Sequence, residues 1–175
     1  ENGKEQLEND IKEMTAMLNS YVSFVRGEVP ETIENINLKN LIESICISNK
    51  SKKHDIINEK IKEIKTSGRP LQIKRAVQNI IDNSKRYSSK IIINVDRNDE
   101  ECFIIISDNG PGIPEKNYED IFKPFFTLDP SRNKLKGESG LGMTISRDIV
   151  RSHGGEIKLS KSKIGGLQTT INLPL

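Results

Sequence analysis

The chain has 175 residues, of which 34% are hydrophobic and 30% charged, and its 27 Lys and Arg nearly balance its 25 Asp and Glu. This length fits one large domain or one domain with a small appendage, and the balanced charge argues against nucleic acid or an acidic membrane as the partner. No segment reaches the roughly 20 apolar residues that span a bilayer, and Cys46 and Cys102 lie in apolar runs that suit packed, reduced thiols.

The first predicted element is a helix from Gln6 to Gly27. Its apolar residues recur alternately four and three positions apart, at Leu7, Ile11, Met14, Leu18, Tyr21 and Val25. This spacing gives about three heptads of an apolar seam, which is typical of a helix in a coiled coil or helical bundle. An amphipathic helix packed on its own domain would show the same pattern. Val29 and Pro30 end the pattern, so we predict a domain boundary between residues 1–29 and 30–175.

Residues 30–175 alternate between predicted helices and strands. The helices are predicted at 38–47, 70–87 and 141–152, with a short one at 117–122. The strands are predicted as hairpins at 90–95 with 102–107 and at 156–160 with 167–173, and as a short pair within 54–64. Residues 123–139 lack periodicity, which is typical of a functional lid or a disordered loop. Together these elements predict an α+β fold in two layers.

Three segments carry side chains or backbone suited to a nucleotide. Asn79 and Asn83 lie one helical turn apart and offer amide oxygens, which are suitable ligands for Mg²⁺. Asp108 follows an apolar strand and precedes N-G-P-G-I-P, where glycines admit a flat ligand and the carboxylate can accept the amino group of adenine. Gly140 and Gly142 open a helix whose N–H groups suit an anion.

Taken singly, each segment has a plainer explanation. Paired asparagines often lie on a solvated helix face, a loop with two glycines is often only a turn, and G-x-G often marks a helix boundary. The two common phosphate-loop fingerprints are absent from the sequence. The order and spacing of the segments are therefore what point to a nucleotide.

In that order, the segments resemble the four sequence boxes of bacterial sensor histidine kinases. I-K-R-A-V-Q-N-I-I-D-N-S-K-R-Y-S resembles the N box, D-N-G-P-G-I-P the G1 box, F-K-P-F-F the F box and G-E-S-G-L-G-M the G2 box. Hsp90 chaperones, DNA gyrase and MutL proteins share the fold. The N box and the first helix are most similar to the EnvZ group of osmosensor kinases.

The resemblance implies a two-layer α/β sandwich of the Bergerat type, the catalytic ATP-binding domain, over residues 30–175. Residues 1–29 would be the second helix of a dimerisation and phosphoacceptor hairpin, whose first helix lies outside this sequence. The implied cofactors are ATP and Mg²⁺.

The resemblance also implies roles for the N-box and G1-box residues. Asn83 would coordinate Mg²⁺ with Asn79 lining the same site, and Arg86 and Tyr87 would reach toward the phosphates and the nucleotide; Asn79, Asn83 and Arg86 are the implied catalytic residues. Asp108 would bind the adenine amine. The adenine pocket would be shaped by Gly110, Gly112 and Ile113.

The F box and G2 box are implied to hold the triphosphate. Phe122 and Phe125 would anchor a lid. Phosphate contacts from the lid are implied for Arg132, Lys134 and Lys136. The phosphates would rest at the start of the last helix, on Gly140, Leu141 and Gly142.

The implied activity is transfer of the ATP γ-phosphoryl group to a histidine outside this sequence, and onward to an aspartate of a response regulator. The implied parent is a homodimeric inner-membrane sensor with this part in the cytoplasm and no nucleic-acid partner. His54 and His153 are expected to be structural or solvent-exposed rather than the acceptor, so we expect no autophosphorylation at the family's site.

Two alternatives remain open. Glu138 stands where the G2 box usually has its first glycine, with Gly137 one position early, and a carboxylate there would repel the triphosphate unless it pairs with Lys134 or Lys136. The chain would then be a degenerate, non-catalytic nucleotide-binding or dimerisation module without affinity at millimolar ATP. The other alternative is a switch kinase acting on serine in an anti-sigma factor, which the hairpin-like first helix counts against.

Overall fold

The structure, a computed structural model, describes residues 31–49, 54–128 and 140–175. Before residue 31 it describes only Leu7, Ile11, Met14 and Thr15, which are helical and exposed. The remainder of the predicted heptad seam and the boundary at Pro30 lie outside the described residues. So do Arg132, Lys134, Lys136, Gly137 and Glu138.

The described elements alternate between strands and helices. They are β1 (Glu34–Asn37), α1 (Leu38–Ser48), β2 (Asp55–Ile61), β3 (Lys65–Gly68), α2 (Pro70–Tyr87), β4 (Lys90–Arg97), β5 (Glu101–Asp108), α3 (Gly142–Ser152), β6 (Glu156–Lys161) and β7 (Leu167–Pro174). Two 3₁₀ turns, Glu115–Asn117 and Asp120–Phe122, lie between β5 and α3. The predicted helix over 70–87 is confirmed at both ends, and both predicted hairpins are confirmed.

The main sheet has the strand order β2-β4-β5-β7-β6 in the described part of the chain. β2 runs parallel to β4, and the other neighbouring strands are antiparallel. β1 and β3 pair separately as a small antiparallel sheet. The predicted two-layer α+β fold is thereby confirmed.

The core forms where the helices cover one face of this sheet. On β4, Ile91, Ile93 and Val95 are buried at every second position, as the two-residue period of a strand requires. α2 contributes a stripe with the three-to-four-residue spacing of a helix face: Ile73, Ala76, Val77, Ile80, Ile81 and Ser84. Packing this stripe into the core fixes the rotation of α2, so its opposite polar face is fixed as well.

Two sequence predictions were wrong in detail. Residues 54–64 do not form a strand pair, because 55–61 is one continuous strand along β4, with a bulge near Asn58 that Asn94 bridges by accepting the Lys60 N–H at 2.8 Å. The predicted helix at 117–122 is instead the two 3₁₀ turns, since Pro114 and Pro124 leave too few residues to nucleate an α-helix. In the described residues, no helix has the length and apolarity that a membrane span requires.

Candidate nucleotide-binding site

A cavity of about 410 Å³ is bounded by α2, the loop after β5 and the start of α3. Small-molecule sites commonly measure about 300 to 1,000 Å³. The predicted site residues that line it are Asn79, Asn83, Arg86, Tyr87, Asp108, Gly112, Ile113, Gly140 and Gly142. Three separate stretches of the sequence therefore converge on one cavity.

Asp108 forms one end of the cavity, where β5 stops. Its side chain is buried, with only 6% of the residue exposed. Oδ1 accepts the backbone N–H groups of Gly110 at 2.9 Å and Leu167 at 3.1 Å, and Oδ2 accepts the Ser84 hydroxyl at 3.1 Å. Donors from three different elements thus fix the carboxylate in one orientation.

The loop after Asp108 is hydrogen-bonded to the connection between α2 and β4. Asn109 Oδ1 accepts the N–H groups of Ser89 at 3.1 Å and Lys90 at 2.9 Å. Gly110 itself does not line the cavity; a β-carbon there would lie 3.0 Å from the Tyr87 carbonyl oxygen, a contact tight enough that a larger residue would require the loop or the end of α2 to shift slightly. Gly112 has φ of 72°, a conformation that favours glycine. The loop is a turn and also a cavity wall.

The exposed face of α2 forms the long wall. Asn79 donates from Nδ2 to the carbonyl of Gly142 at 3.2 Å and so ties α2 to the start of α3. The Asn83 carboxamide makes no hydrogen bond within the described part of the chain. Beside it, Asp82 accepts from Gln78 Nε2 at 2.9 Å. The two predicted asparagines therefore differ, since Asn79 is engaged in a structural bond and Asn83 is available to a ligand.

Sequence reasoning missed two charged residues of this wall, Arg75 and Asp82. Arg75 lies four residues before Asn79, and Asp82 lies three residues after Asn79 and four before Arg86, so both share the helix face of these residues. Helical periodicity could therefore have found them. Leu167, also missed, enters the cavity from β7 and offers no such signal, because only the tertiary fold brings it to Asp108.

The start of α3 forms the other end of the cavity. Its N-cap residue, Leu141, makes no side-chain hydrogen bond to the helix. No capping side chain therefore occupies the N–H groups of the first turn. Leu141 is itself buried in the core, at 2% exposure, and does not line the cavity. The Ser146 hydroxyl lies 2.9 Å from the Gly142 carbonyl oxygen and 3.1 Å from that of Ala76, which adds a second tie between α3 and α2.

Phe125 and Gly140 meet on either side of residues 126–139. The Phe125 N–H donates to the Gly140 carbonyl at 3.2 Å, and both residues have φ of 62°. A β-carbon at Gly140 would lie 2.8 Å from the Phe125 α-carbon. Phe125 does not line the cavity, whereas Phe126, Thr127 and Leu128 do.

The F-box turn is clamped onto α3 through Phe122, which is buried. The Phe122 carbonyl accepts the Thr144 hydroxyl at 2.9 Å, and the Arg147 guanidinium lies 4.4 Å from the centre of the Phe122 ring. Arg147 also pairs with Glu119 at 3.2 Å. These contacts hold the F-box turn, which precedes the cavity residues Phe126 to Leu128, against α3.

The residues present are suited to Mg²⁺ bound together with a phosphate. No cluster of three or more His, Cys, Asp or Glu capable of holding a metal occurs among the described residues. Mg²⁺ on a nucleotide, however, takes most of its ligands from phosphates and water and needs only one or two oxygens from the protein. The free amide oxygen of Asn83, with the Asp82 carboxylate beside it on the same wall, can supply these.

Comparison with known proteins agrees with this geometry. Residues 68–175 match the family described as histidine kinase-, DNA gyrase B-, and HSP90-like ATPase. Over 98% of the chain, the sequence is 29% identical to the sensor histidine kinase GtrS of Pseudomonas aeruginosa, and over 62% it is 36% identical to the sensor histidine kinase CpxA of Escherichia coli. The solved structure of the mycobacterial sensor histidine kinase MprB aligns with a TM-score of 0.71 at 25% identity, covering 82% of this chain and 97% of that one.

The chain belongs to the family of histidine kinase-, DNA gyrase B-, and HSP90-like ATPases. Within this family it is the ATP-binding catalytic core of a two-component sensor histidine kinase. It spans 35% of the length of GtrS and 24% of that of CpxA.

Proposed function

We propose that this domain binds Mg²⁺-ATP with the adenine against Asp108 and the triphosphate toward Asn83 and the start of α3. The observation that carries the proposal is the polarity of the cavity. One end presents a buried, fully oriented carboxylate, which accepts an amino group, and the other presents open N–H groups of a helix start beside a free amide oxygen. The two ends of ATP are complementary to the two ends of the cavity: adenine carries an amino group that donates, and the triphosphate carries negative oxygens that accept.

The chain's own residues position the donor for phosphoryl transfer. The N–H groups at the start of α3 and the guanidinium groups of Arg75 and Arg86 favour the negative oxygens of the triphosphate, and Asn83 holds the metal-bound phosphates in register. When bound, Mg²⁺ neutralises charge on the β- and γ-phosphates. Asn79 keeps Gly142 in place, which maintains the distance between the two walls.

The acceptor of the γ-phosphoryl group is proposed to be a histidine outside this sequence. Both histidines of the chain have ring nitrogens engaged with backbone: His54 Nε2 lies 2.9 Å from the Lys85 carbonyl oxygen, and His153 Nε2 accepts the Arg69 N–H at 3.0 Å. His153 Nδ1 is 2.7 Å from the Ile149 carbonyl oxygen. His153 is therefore held at both nitrogens and has no free lone pair for in-line attack, and the Nε2 of His54 can only donate to the Lys85 carbonyl.

The parent protein is proposed to be a homodimeric kinase of the EnvZ group that passes phosphate to a response regulator. Residues 1–29 would supply the second helix of its dimerisation hairpin, and 30–175 the ATP-binding domain. The support is the heptad spacing of the first helix, the N-box string and the sensor-kinase relatives. An inner-membrane location for the parent, with this domain in the cytoplasm, follows from the same relationship.

Calorimetric titration with Mg²⁺-ATP, with Mg²⁺-GTP as the control nucleotide, tests the proposal. We expect saturation by ATP alone, and weakened binding in Asp108→Asn with an unchanged circular-dichroism spectrum. Adding an acceptor hairpin that carries a histidine should then give phosphohistidine. Absence of ATP binding at millimolar nucleotide, or equal binding of GTP, would overturn the assignment.

A further inference from the structure

We propose that Ser84 is a specificity-determining positioning residue, which orients the Asp108 carboxylate so that the site selects a purine with a 6-amino group. This inference rests on the proposed nucleotide site and extends it to a residue that does not line the cavity. Ser84 acts through Asp108, to which its hydroxyl donates at 3.1 Å.

The direction of the Ser84 hydroxyl is unusual for a serine inside a helix. Such hydroxyls commonly bond back to the carbonyl four residues earlier, and even Ser88, the C-cap residue of α2, does so by donating to the Ser84 carbonyl at 2.8 Å. The Ser84 hydroxyl instead reaches the carboxylate at the end of β5. At 4% exposure, Ser84 cannot exchange this bond for one to bulk water at little cost.

The bond determines which part of the carboxylate remains for a ligand. An ionised carboxylate has about four acceptor positions. Gly110 and Leu167 occupy Oδ1 with two N–H groups, and Ser84 occupies one position on Oδ2. The acceptor position left over is therefore on Oδ2, and it is held in one direction. An amino group can donate to it, whereas the 6-oxo group of a guanine cannot.

The structure also separates this role from a purely structural one. The backbone carbonyl of Ser84 accepts the Ser88 N–H at 3.0 Å, and this bond does not involve the Ser84 hydroxyl. Replacing Ser84 with alanine, which is a good helix former, therefore leaves the helix intact. What it removes is the donor on Oδ2, so the carboxylate keeps its bonds through Oδ1 but is free to turn about them.

The test measures two nucleotides on three proteins by calorimetry in the presence of Mg²⁺. The nucleotides are ATP and purine riboside triphosphate, which differs from ATP only in lacking the 6-amino group. The proteins are the wild type, Ser84→Ala and Ser88→Ala. Ser88→Ala is the matched control, because it removes a hydroxyl from the same end of α2 whose bond runs within the helix.

We expect the wild type to prefer ATP over the purine analogue. Ser84→Ala should lower ATP affinity about tenfold while changing the affinity for the analogue by less than about twofold, because only ATP uses the Oδ2 position. Ser88→Ala should keep the wild-type ratio. Ser84→Cys keeps the shape of the side chain but donates only weakly, so it should lose the preference for ATP as Ser84→Ala does. It takes the place of Ser84→Ala in the test if the alanine variant folds poorly.

Three results would overturn the proposal, and they are distinguishable. If the wild type prefers ATP and both Ser84 variants keep that preference, the site stands and the role of Ser84 is wrong. If Ser84→Ala weakens both nucleotides equally, its effect is on packing. If the wild type binds neither nucleotide, the proposed function fails together with this inference.

Discussion

Gly166 lies against Asp108 so closely that a β-carbon at position 166 would be 2.1 Å from Oδ1 of the carboxylate. The same β-carbon would be 2.5 Å from the Gly110 nitrogen. The turn before β7 therefore packs directly against the groups whose hydrogen bonds orient the carboxylate. Gly166 adds a further hydrogen bond by donating its N–H to the Asp108 backbone carbonyl at 3.0 Å.

Gly166→Ala should accordingly lower ATP affinity by at least about tenfold, because the methyl group displaces the carboxylate from its backbone donors. Calorimetry measures this, and thermal unfolding reports the accompanying loss of stability. Gly155→Ala is the matched control, since its β-carbon would meet the Asn172 carbonyl oxygen at the same 2.1 Å, away from the cavity walls. Equal ATP affinity in the two variants at a temperature where both are folded would contradict the argument.

Asn83→Ala and Asn79→Ala should distinguish the metal-ligand role of Asn83 from the structural role of Asn79 in the cavity wall. In Asn83→Ala we expect ATP affinity to fall in Mg²⁺ by about tenfold or more and to remain near the wild-type value in EDTA, since the lost oxygen is a metal ligand. In Asn79→Ala the affinity should fall under both conditions, because Gly142 loses its donor. Titrations in Mg²⁺ and in EDTA decide the matter. A loss in Asn83→Ala that persists in EDTA would contradict the metal role.

Glu31 should stabilise the start of α2 from outside the helix. Its carboxylate accepts the N–H groups of Leu71 at 2.6 Å and Gln72 at 3.2 Å, whereas the N-cap residue Arg69 provides no side-chain cap. Glu31→Ala should therefore lower the free energy of unfolding by about 1 kcal/mol. Urea unfolding measures this, with Glu34→Ala, whose carboxylate accepts from the exposed Thr32, as the control. An equal effect of the two substitutions would count against the cap.

Cys46 and Cys102 should resist thiol reagents in the folded protein. Burial raises the pKa of both thiols, so the reactive thiolate is scarce in the folded state near neutral pH. The neutral thiols are favoured by folding, so the stability they contribute is present below the pKa of an unfolded thiol, about 8.5, and declines as the pH rises beyond it. Ellman's reagent at pH 8 should label both only after denaturation; rapid labelling of the native protein would refute this.

The N box shows why part of this architecture was predictable. Its helix, 70–87, has a clean apolar stripe and a proline at the first position, so its start and its buried face follow from local sequence. Asp108 was found because an acid that ends an apolar strand is chemically conspicuous. β1 was missed because four residues carry too little periodicity, and Ser84 and Gly166 because their meaning arises only when α2 and β7 reach Asp108 through the fold.

The pairing of Phe125 with Gly140 defines where the chain leaves the domain framework and where it returns. This one bond and the two positive φ angles fix the two anchors relative to each other. Residues 108–113 and 140–142 form the two ends of the cavity on either side of these anchors, so a change of length in either stretch would move one end of the site relative to the other.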